Sequence, residues 1–189
     1  DQRKLTTLVA YSAVHKELGV SVETAENLTA LQEEYLETLR DEYEAKGVSL
    51  GGLQRQSDLP AKFEIVGRLD LEFGRKIKEL LSEQQFRRLH QIRVQAMGNS
   101  AFYDREITQE LALTKVQTDA ILAIYQETAQ KSREMISASR QATREQIEAK
   151  LREINAERDK RVGEILTADQ NLKLADIKGE PFDLNSLRR

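Results

Sequence analysis

Leu166-Thr167-Ala168-Asp169-Gln170 is the phrase around which the chain is organised. Close copies stand at Leu113-Thr114-Lys115-Val116-Gln117 and Leu81-Ser82-Glu83-Gln84-Gln85, with a worn fourth at Val20-Ser21-Val22-Glu23-Thr24. A helix begins with four backbone N–H groups that have no partner inside it. A Ser or Thr just before the first turn accepts a hydrogen bond from one of them. A Gln or Glu three residues later reaches back to the capping residue's own N–H, completing a capping box. Ser82 with Gln85, Thr114 with Gln117 and Thr167 with Gln170 match this pattern, whereas Ser21 with Thr24 keeps only its first half. Each cap is worth about 1 kcal/mol. The apolar residues Leu81, Leu113 and Leu166 precede the caps, but only the first copy has an apolar staple partner, Phe86. The phrase therefore marks helix starts and carries no chemistry of its own.

Outward from these starts, apolar residues recur at helical spacing. Residues 6–18 carry Tyr11, Val14 and Leu18 and end at Gly19; Ser21 opens a helix with Leu28, Leu31, Tyr35, Leu39 and Tyr43 on one face. The glycine-bearing stretch 47–53 reads as a loop, and Ser57 or Asp58 with Pro60 restarts helix. The next stripe is Val66, Leu69, Phe73, Ile77 and Leu80, with Gly67 and Gly74 beside it; close approach of another backbone or a local bend would account for the pair. Ser82 starts a helix facing inward through Phe86, Leu89, Ile92 and Ala96, and a short helix with Tyr103, Ile107 and Leu111 follows. From Thr114 the pattern runs to Ile165 with neither Pro nor Gly before Gly163, which predicts one very long helix over about 114–165. At 1.5 Å per residue such a rod measures roughly 75 Å, so an elongated bundle is expected. Its small, polar middle, Ser137 to Thr143, is where a kink would fall. Thr167 caps a last helix through Leu174 and Ile177, and Phe182 in the tail is placed to dock back on the core.

Composition agrees with an all-α fold. Charged residues make up 32% of the 189, aromatics 5%, and there are two prolines, a mixture that favours helices over sheets. A net charge of −3 with mixed signs offers no electrostatic case for nucleic acid. No apolar run is long enough for membrane insertion. Without cysteine there is no disulfide, thiolate metal site or Cys nucleophile. The chain begins at Asp1 rather than Met, as it would had a signal peptide been removed or trimmed away.

The order of short helix, capped helix, long excursion and capped helix occurs twice. Glu17-Leu18-Gly19-Val20-Ser21 aligns with Glu110-Leu111-Ala112-Leu113-Thr114, an offset of 93; Glu79-Leu80-Leu81-Ser82 aligns with Glu164-Ile165-Leu166-Thr167, an offset of 85. An internal duplication follows, with a first repeat at 1–98 and a second at 99–189. Chemistry is sparse by comparison. His15 and His90 belong to no metal-binding spacing, and no glycine-rich phosphate loop or Gly-x-Ser-x-Gly occurs. Neither catalytic, cofactor-binding nor metal residues are expected. Arg87-Arg88 with Arg93 is a basic cluster that would suit an acidic partner, though such turns usually serve solubility.

The literal matches at 113–117 and 166–170, with Ser for Thr at 81–85, resemble the LTxxQ-motif proteins, the Spy/CpxP-like group of bacterial envelope proteins. The run from Leu89-His90-Gln91-Ile92-Arg93-Val94-Gln95 to Leu111-Ala112-Leu113-Thr114, and the terminal Gly179-Glu180-Pro181-Phe182-Asp183-Leu184, look like uncharacterised tandem LTxxQ-like proteins of planctomycete-type bacteria. The resemblance implies an all-helical, periplasmic or secreted, non-enzymatic protein, an ATP-independent chaperone-like or stress-response binder of protein clients. In that picture the motif residues Ser21, Leu81, Ser82, Gln85, Leu113, Thr114, Gln117, Leu166, Thr167 and Gln170 serve the fold. The tandem chain becomes a single-chain pseudo-dimer of two repeats. The alternative is a structural or scaffold protein that binds a partner protein through charged helical faces.

Overall fold

The computed structural model describes residues 4–48, 58–139 and 142–187, and every regular element among them is helical. The nine α-helices are α1 Leu5–Leu8, α2 Ser12–Leu18, α3 Val22–Ala45, α4 Leu59–Leu80, α5 Glu83–Met97, α6 Arg105–Glu110, α7 Lys115–Ala138, α8 Arg144–Ile165 and α9 Ala168–Lys178. Short 3-10 turns span Gly98–Tyr103 and Leu184–Leu187. The stretch 6–18, expected as one helix, is two: Val9 ends α1 and Tyr11 precedes α2. The loop expected at 47–53 lies largely outside the described residues, as does Ser57; Asp58 stands at the start of α4 with Pro60 in its first turn.

The chain divides into two compact units, one formed by Asp1–Met97 with Lys178–Arg189 and the other by Gly98–Ile177. The C-terminal segment therefore belongs with the first unit and not with the second repeat. Leu187 is 1% exposed within the first core, and Phe182 and Leu184 pack against the same cluster. The Gln95 side chain holds the turn in place. Its Nε2 donates to Lys178 O at 2.6 Å and Glu180 O at 2.8 Å, and its Oε1 accepts from Phe182 N at 2.8 Å. Gly179 turns the chain with φ 59°, and a Cβ there would sit 2.2 Å from the Gln91 side chain.

In the first unit α3 and α4 pair along their length. Leu28, Leu31 and Tyr35 of α3 meet Ile65, Leu69, Phe73 and Ile77 of α4, and Leu8, Val9, Leu89 and Ile92 complete the core. Ile65 takes the core position that the stripe assigned to Val66, which sits half-buried at its edge. Ion pairs Arg68–Glu42 and Lys76–Glu34 lie on the solvent edge of this seam. A Cβ added at Gly67 or Gly74 would meet nothing within 4 Å among the described residues, so the close approach expected of another backbone is not found there.

The second unit corrects the expectation of a single 114–165 rod. The helix stops at Ala138, and α8 starts at Arg144 and packs back along α7. Two physical reasons combine. The Ser137–Thr143 stretch has no apolar residue to bury besides small Ala side chains, so continuing helix there gains nothing. Thr143 also supplies its own start, accepting from Gln146 N at 3.3 Å while Gln146 Oε1 accepts from Thr143 N at 3.0 Å. Folding back brings Ile121, Ile124 and Tyr125 of α7 into one core with Val162 of α8, which a continuous rod would leave apart. Phe102 from the preceding 3-10 turn packs on Tyr125 with ring centroids 5.6 Å apart.

The interiors of the two units correspond at many positions and differ at others: buried Ile65, Leu69 and Phe73 of α4 stand where α8 has Lys150, Ile154 and Arg158, none of them buried. The successive helices α2 to α5 have 7, 24, 22 and 15 residues; α6 to α9 have 6, 24, 22 and 11. Buried Leu8, Val9, Val14, Leu18, Leu28 and Leu31 correspond at an offset of 93 to buried Ala101, Phe102, Ile107, Leu111, Ile121 and Ile124. Buried Ile77, Leu81, Leu89 and Ile92 correspond at an offset of 85 to Val162, Leu166, Leu174 and Ile177. Even the turn between the first two helices agrees. Gly19 has φ 60° and Ala112 φ 50°, with Val20 N bonded to His15 O and Leu113 N to Thr108 O.

Candidate functional site

The motif residues are drawn together in pairs, one pair in each unit. Thr114 and Thr167 each accept from the N–H three residues on, at 3.2 Å from Gln117 N and Gln170 N. The glutamine Oε1 atoms answer by accepting from Thr114 N at 3.1 Å and Thr167 N at 2.9 Å. Ser82 and Gln85 form the same box at 3.3 and 3.0 Å. Ser21 caps Thr24 N at 3.1 Å and its hydroxyl meets Thr24 Oγ1 at 2.9 Å, with no back-bond to Ser21 N.

The caps use only the oxygen of each glutamine amide. The nitrogen is directed at another helix. Gln85 Nε2 donates to Leu18 O at 3.2 Å, at the C-terminus of α2. Gln170 Nε2 donates to Leu111 O at 3.2 Å and Ala112 O at 3.3 Å, at the end of α6. Gln117 Nε2 donates to Ile165 O at 3.1 Å, at the end of α8, and to Gln170 Oε1 at 2.7 Å. The last carbonyls of a helix lack partners for the same reason that its first N–H groups do. One amide thus caps the start of its own helix and the end of a neighbour, locking the two motifs of the second unit reciprocally. A glutamate would satisfy the first bond and not the second. In the first unit the lock is one-sided, because Thr24 has no amide to offer. The Leu81 and Leu166 side chains are buried beside these locks and Leu113 is half-buried, while Ser21, Ser82, Thr114 and Thr167 are exposed.

Spacing alone does not mark a helix start, because Thr29-Ala30-Leu31-Gln32 lies inside α3 with Thr29 Oγ1 donating to Ala25 O at 2.9 Å, whereas Thr143 and Gln146 form a further capping box. That box lacks the preceding leucine, Ala142 standing there instead, and so falls outside the longer phrase.

The other chemistry-bearing side chains are engaged within their own units. His15 Nε2 donates to Val9 O at 2.6 Å, and His90 Nε2 lies 3.3 Å from an Arg93 nitrogen. Arg88, half of the basic cluster, is turned inward. Its guanidinium pairs with Glu17 at 2.6 and 2.8 Å and donates to Glu180 O at 2.7 Å. It holds the turn that follows α9 against the first unit, which removes it as a free surface cation. Together with Glu17, Gln84, Arg87, Gln91 and Glu180 it lines an open polar cleft of about 600 Å³.

Two tyrosines carry the largest shifts. Tyr35, 3% exposed, donates to Asp70 Oδ1 at 2.8 Å and stacks edge-on against Phe73 at 5.3 Å; Lys4 Nζ reaches both Tyr35 OH at 3.2 Å and Asp70 Oδ2 at 3.1 Å. Burial, then the Asp70 bond, raises its phenol far above the ordinary value. Burial likewise pushes Tyr125 up to about 12, partly offset by Arg158, whose guanidinium lies 5.2 Å from the ring centre. Both remain neutral phenols that tie helices together. Among the described residues no group of three or more His, Asp or Glu side chains converges as a metal site.

One surface differs in character. Beyond Thr128 the α7–α8 hairpin thins, and α8 buries only Val162 among its described side chains. There Met135 and Ile154 floor an open cleft of about 310 Å³, edged by Lys131, Lys150, Glu153 and Glu157. Ile136 beside it is 48% exposed. Arg161–Glu127, bidentate at 3.0 and 2.8 Å, bridges the same two helices nearer the core. No described helix is long and apolar enough to cross a membrane. Comparison with protein-family models, with curated proteins and with solved structures finds no match for the chain.

Proposed function

We propose that the chain is a non-enzymatic, tandem-repeat binding protein of the bacterial envelope, which holds apolar segments of other proteins without nucleotide. The carrying observation is the cleft on the α7–α8 hairpin, where Met135 and Ile154 lie between charged rims. Methionine is flexible and polarisable, so it adapts to differing apolar partners, and the charged rim keeps the empty surface wet and each contact weak. Two fused copies of one four-helix repeat, a single-chain pseudo-dimer, are part of the same proposal. The shared helix lengths, the paired buried positions and the left-handed turns at Gly19 and Ala112 support it. Periplasmic or secreted location rests on the LTxxQ resemblance alone. Suppression of aggregation tests the proposal. At stoichiometric ratios and without ATP, the chain should slow aggregation of several unrelated unfolded proteins, and Met135→Glu with Ile154→Glu should abolish the effect while circular dichroism is unchanged. No suppression of any client would remove the chaperone reading and leave the scaffold alternative, which the ion-paired outer edge of α3 and α4 favours.

A further inference from the structure

The outer strip of α4 has no partner among the described residues of its own unit. Phe63, Gly67, Leu71 and Gly74 follow one another at spacings of four, four and three, which places them on one side of the helix. The buried set Ile65, Leu69, Phe73 and Ile77 occupies the adjoining side. Phe63 is 74% exposed and Leu71 69%, the largest apolar exposures on this helix. Both glycines face open space, so nothing among the described residues explains why α4 tolerates two residues that weaken a helix interior.

We propose that this strip is the contact surface for a second copy of the chain, packed α4 against α4 in antiparallel fashion. The strip is self-complementary in that orientation. With the twofold axis between Asp70 and Leu71, Gly67 of one copy faces Gly74 of the other, and this happens twice. Leu71 meets Leu71 at the centre, and each Phe63 stands level with the opposite Lys78, one turn beyond Gly74. Absent Cβ atoms let the helix backbones approach closely, which gives the two exposed apolar side chains something to pack on. Charge follows the same symmetry. Glu64 flanks the N-terminal half of the strip and Arg75 the C-terminal half. Antiparallel packing brings each Glu64 to the side of the opposite Arg75, about two residues from level register. Arg75 is exposed and has no ion-pair partner among the described residues. One helix pair buries less than a standard interface of about 1,600 Å² in total, so the association is weak and reversible.

Sedimentation velocity on the full chain from about 1 to 500 µM tests this. The wild type should move from monomer to dimer across that range. Leu71→Glu should weaken dimerisation at least tenfold, Arg75→Glu should weaken it too, and Glu64→Arg combined with Arg75→Glu should restore it. All of these positions are solvent-exposed, and melting curves at 1 µM check that each variant folds. A wild type that stays monomeric at the highest concentration overturns the proposal, as does a dimer indifferent to Leu71→Glu, because its interface then lies elsewhere.

Discussion

Replacing Gln170 by Glu keeps size and shape and changes one donor into an acceptor, so it isolates the inter-helix lock from the cap. The carboxylate can still accept from Thr167 N, as Gln170 Oε1 does at 2.9 Å. Negative charge in the first turn also favours the helix by about 0.3–1 kcal/mol. What is lost is the Nε2 donation to Leu111 O and Ala112 O at 3.2 and 3.3 Å. Leu111 is fully buried, so its carbonyl has little access to replacement water. One such neutral hydrogen bond is worth about 0.5–1.5 kcal/mol net, and leaving its partner unsatisfied costs about 1–3 kcal/mol. A carboxylate facing a carbonyl adds repulsion, and the exchange with Gln117, 2.7 Å away, loses one of its two senses. The expected cost at pH 7 is about 2–3 kcal/mol. Gln146→Glu is the internal control, because Gln146 caps Thr143 N at 3.0 Å and its amide nitrogen makes no bond. That change should be neutral or stabilising by a few tenths of a kcal/mol. A gap of about 2 kcal/mol is roughly 30-fold in the folding equilibrium. Urea unfolding followed by far-UV circular dichroism resolves it. The pH dependence adds a second check. Protonating the new carboxyl in acid restores a donor toward Leu111 O, so part of the lost stability should return at low pH. If Gln170→Glu proves as benign as Gln146→Glu at pH 7, the glutamine nitrogens do not lock the helices and the motif is a cap alone.

Further outcomes follow from the same geometry. Thr24→Gln supplies the missing half of the first unit's lock and should raise stability by about 1 kcal/mol in the same urea assay. Ala112→Gly relieves a left-handed alanine at φ 50° and should stabilise by about 1 kcal/mol, whereas Gly19→Ala at φ 60° should cost a similar amount, read as shifts in melting temperature. Gly67→Ala and Gly74→Ala should each stabilise the dilute monomer by about 1 kcal/mol, since each new Cβ points into open space. Tyr125 and Tyr35 are neutral in the folded chain and their pKa values are raised, so their contribution is complete below pH 10, the unfolded phenol value, and is lost above it. Alkaline unfolding monitored by tyrosinate absorbance should therefore be cooperative, and Tyr125→Phe should delay its onset.

What the amino-acid order settled by itself was local. A Ser or Thr followed three residues later by Gln can satisfy the first turn of a helix, so the starts at Ser82, Thr114 and Thr167 were readable. The spacing does not decide alone: Thr29 and Gln32 share it inside α3, and the sequence pattern reads Thr143 as helix interior. Helical spacing of Leu28, Leu31 and Tyr35, or of Leu69, Phe73 and Ile77, named core faces for the same local reason. The break between Ala138 and Arg144 was readable as the place for a kink, but its reversal of the chain was not. Nothing in a small polar stretch forbids helix, and only the gain from packing α8 on α7 pays for stopping it. Nor was the tail's allegiance readable, since Phe182 and Leu187 are apolar anchors that fit any core, and it is Gln95 and Arg88 that bind the turn at 178–180 to the first unit. The second role of the motif glutamines belongs to tertiary structure entirely. An amide oxygen finds its cap within its own turn, but the nitrogen on the same carbon needs a carbonyl left unpaired by the end of another helix, and only the folded chain brings that carbonyl within reach.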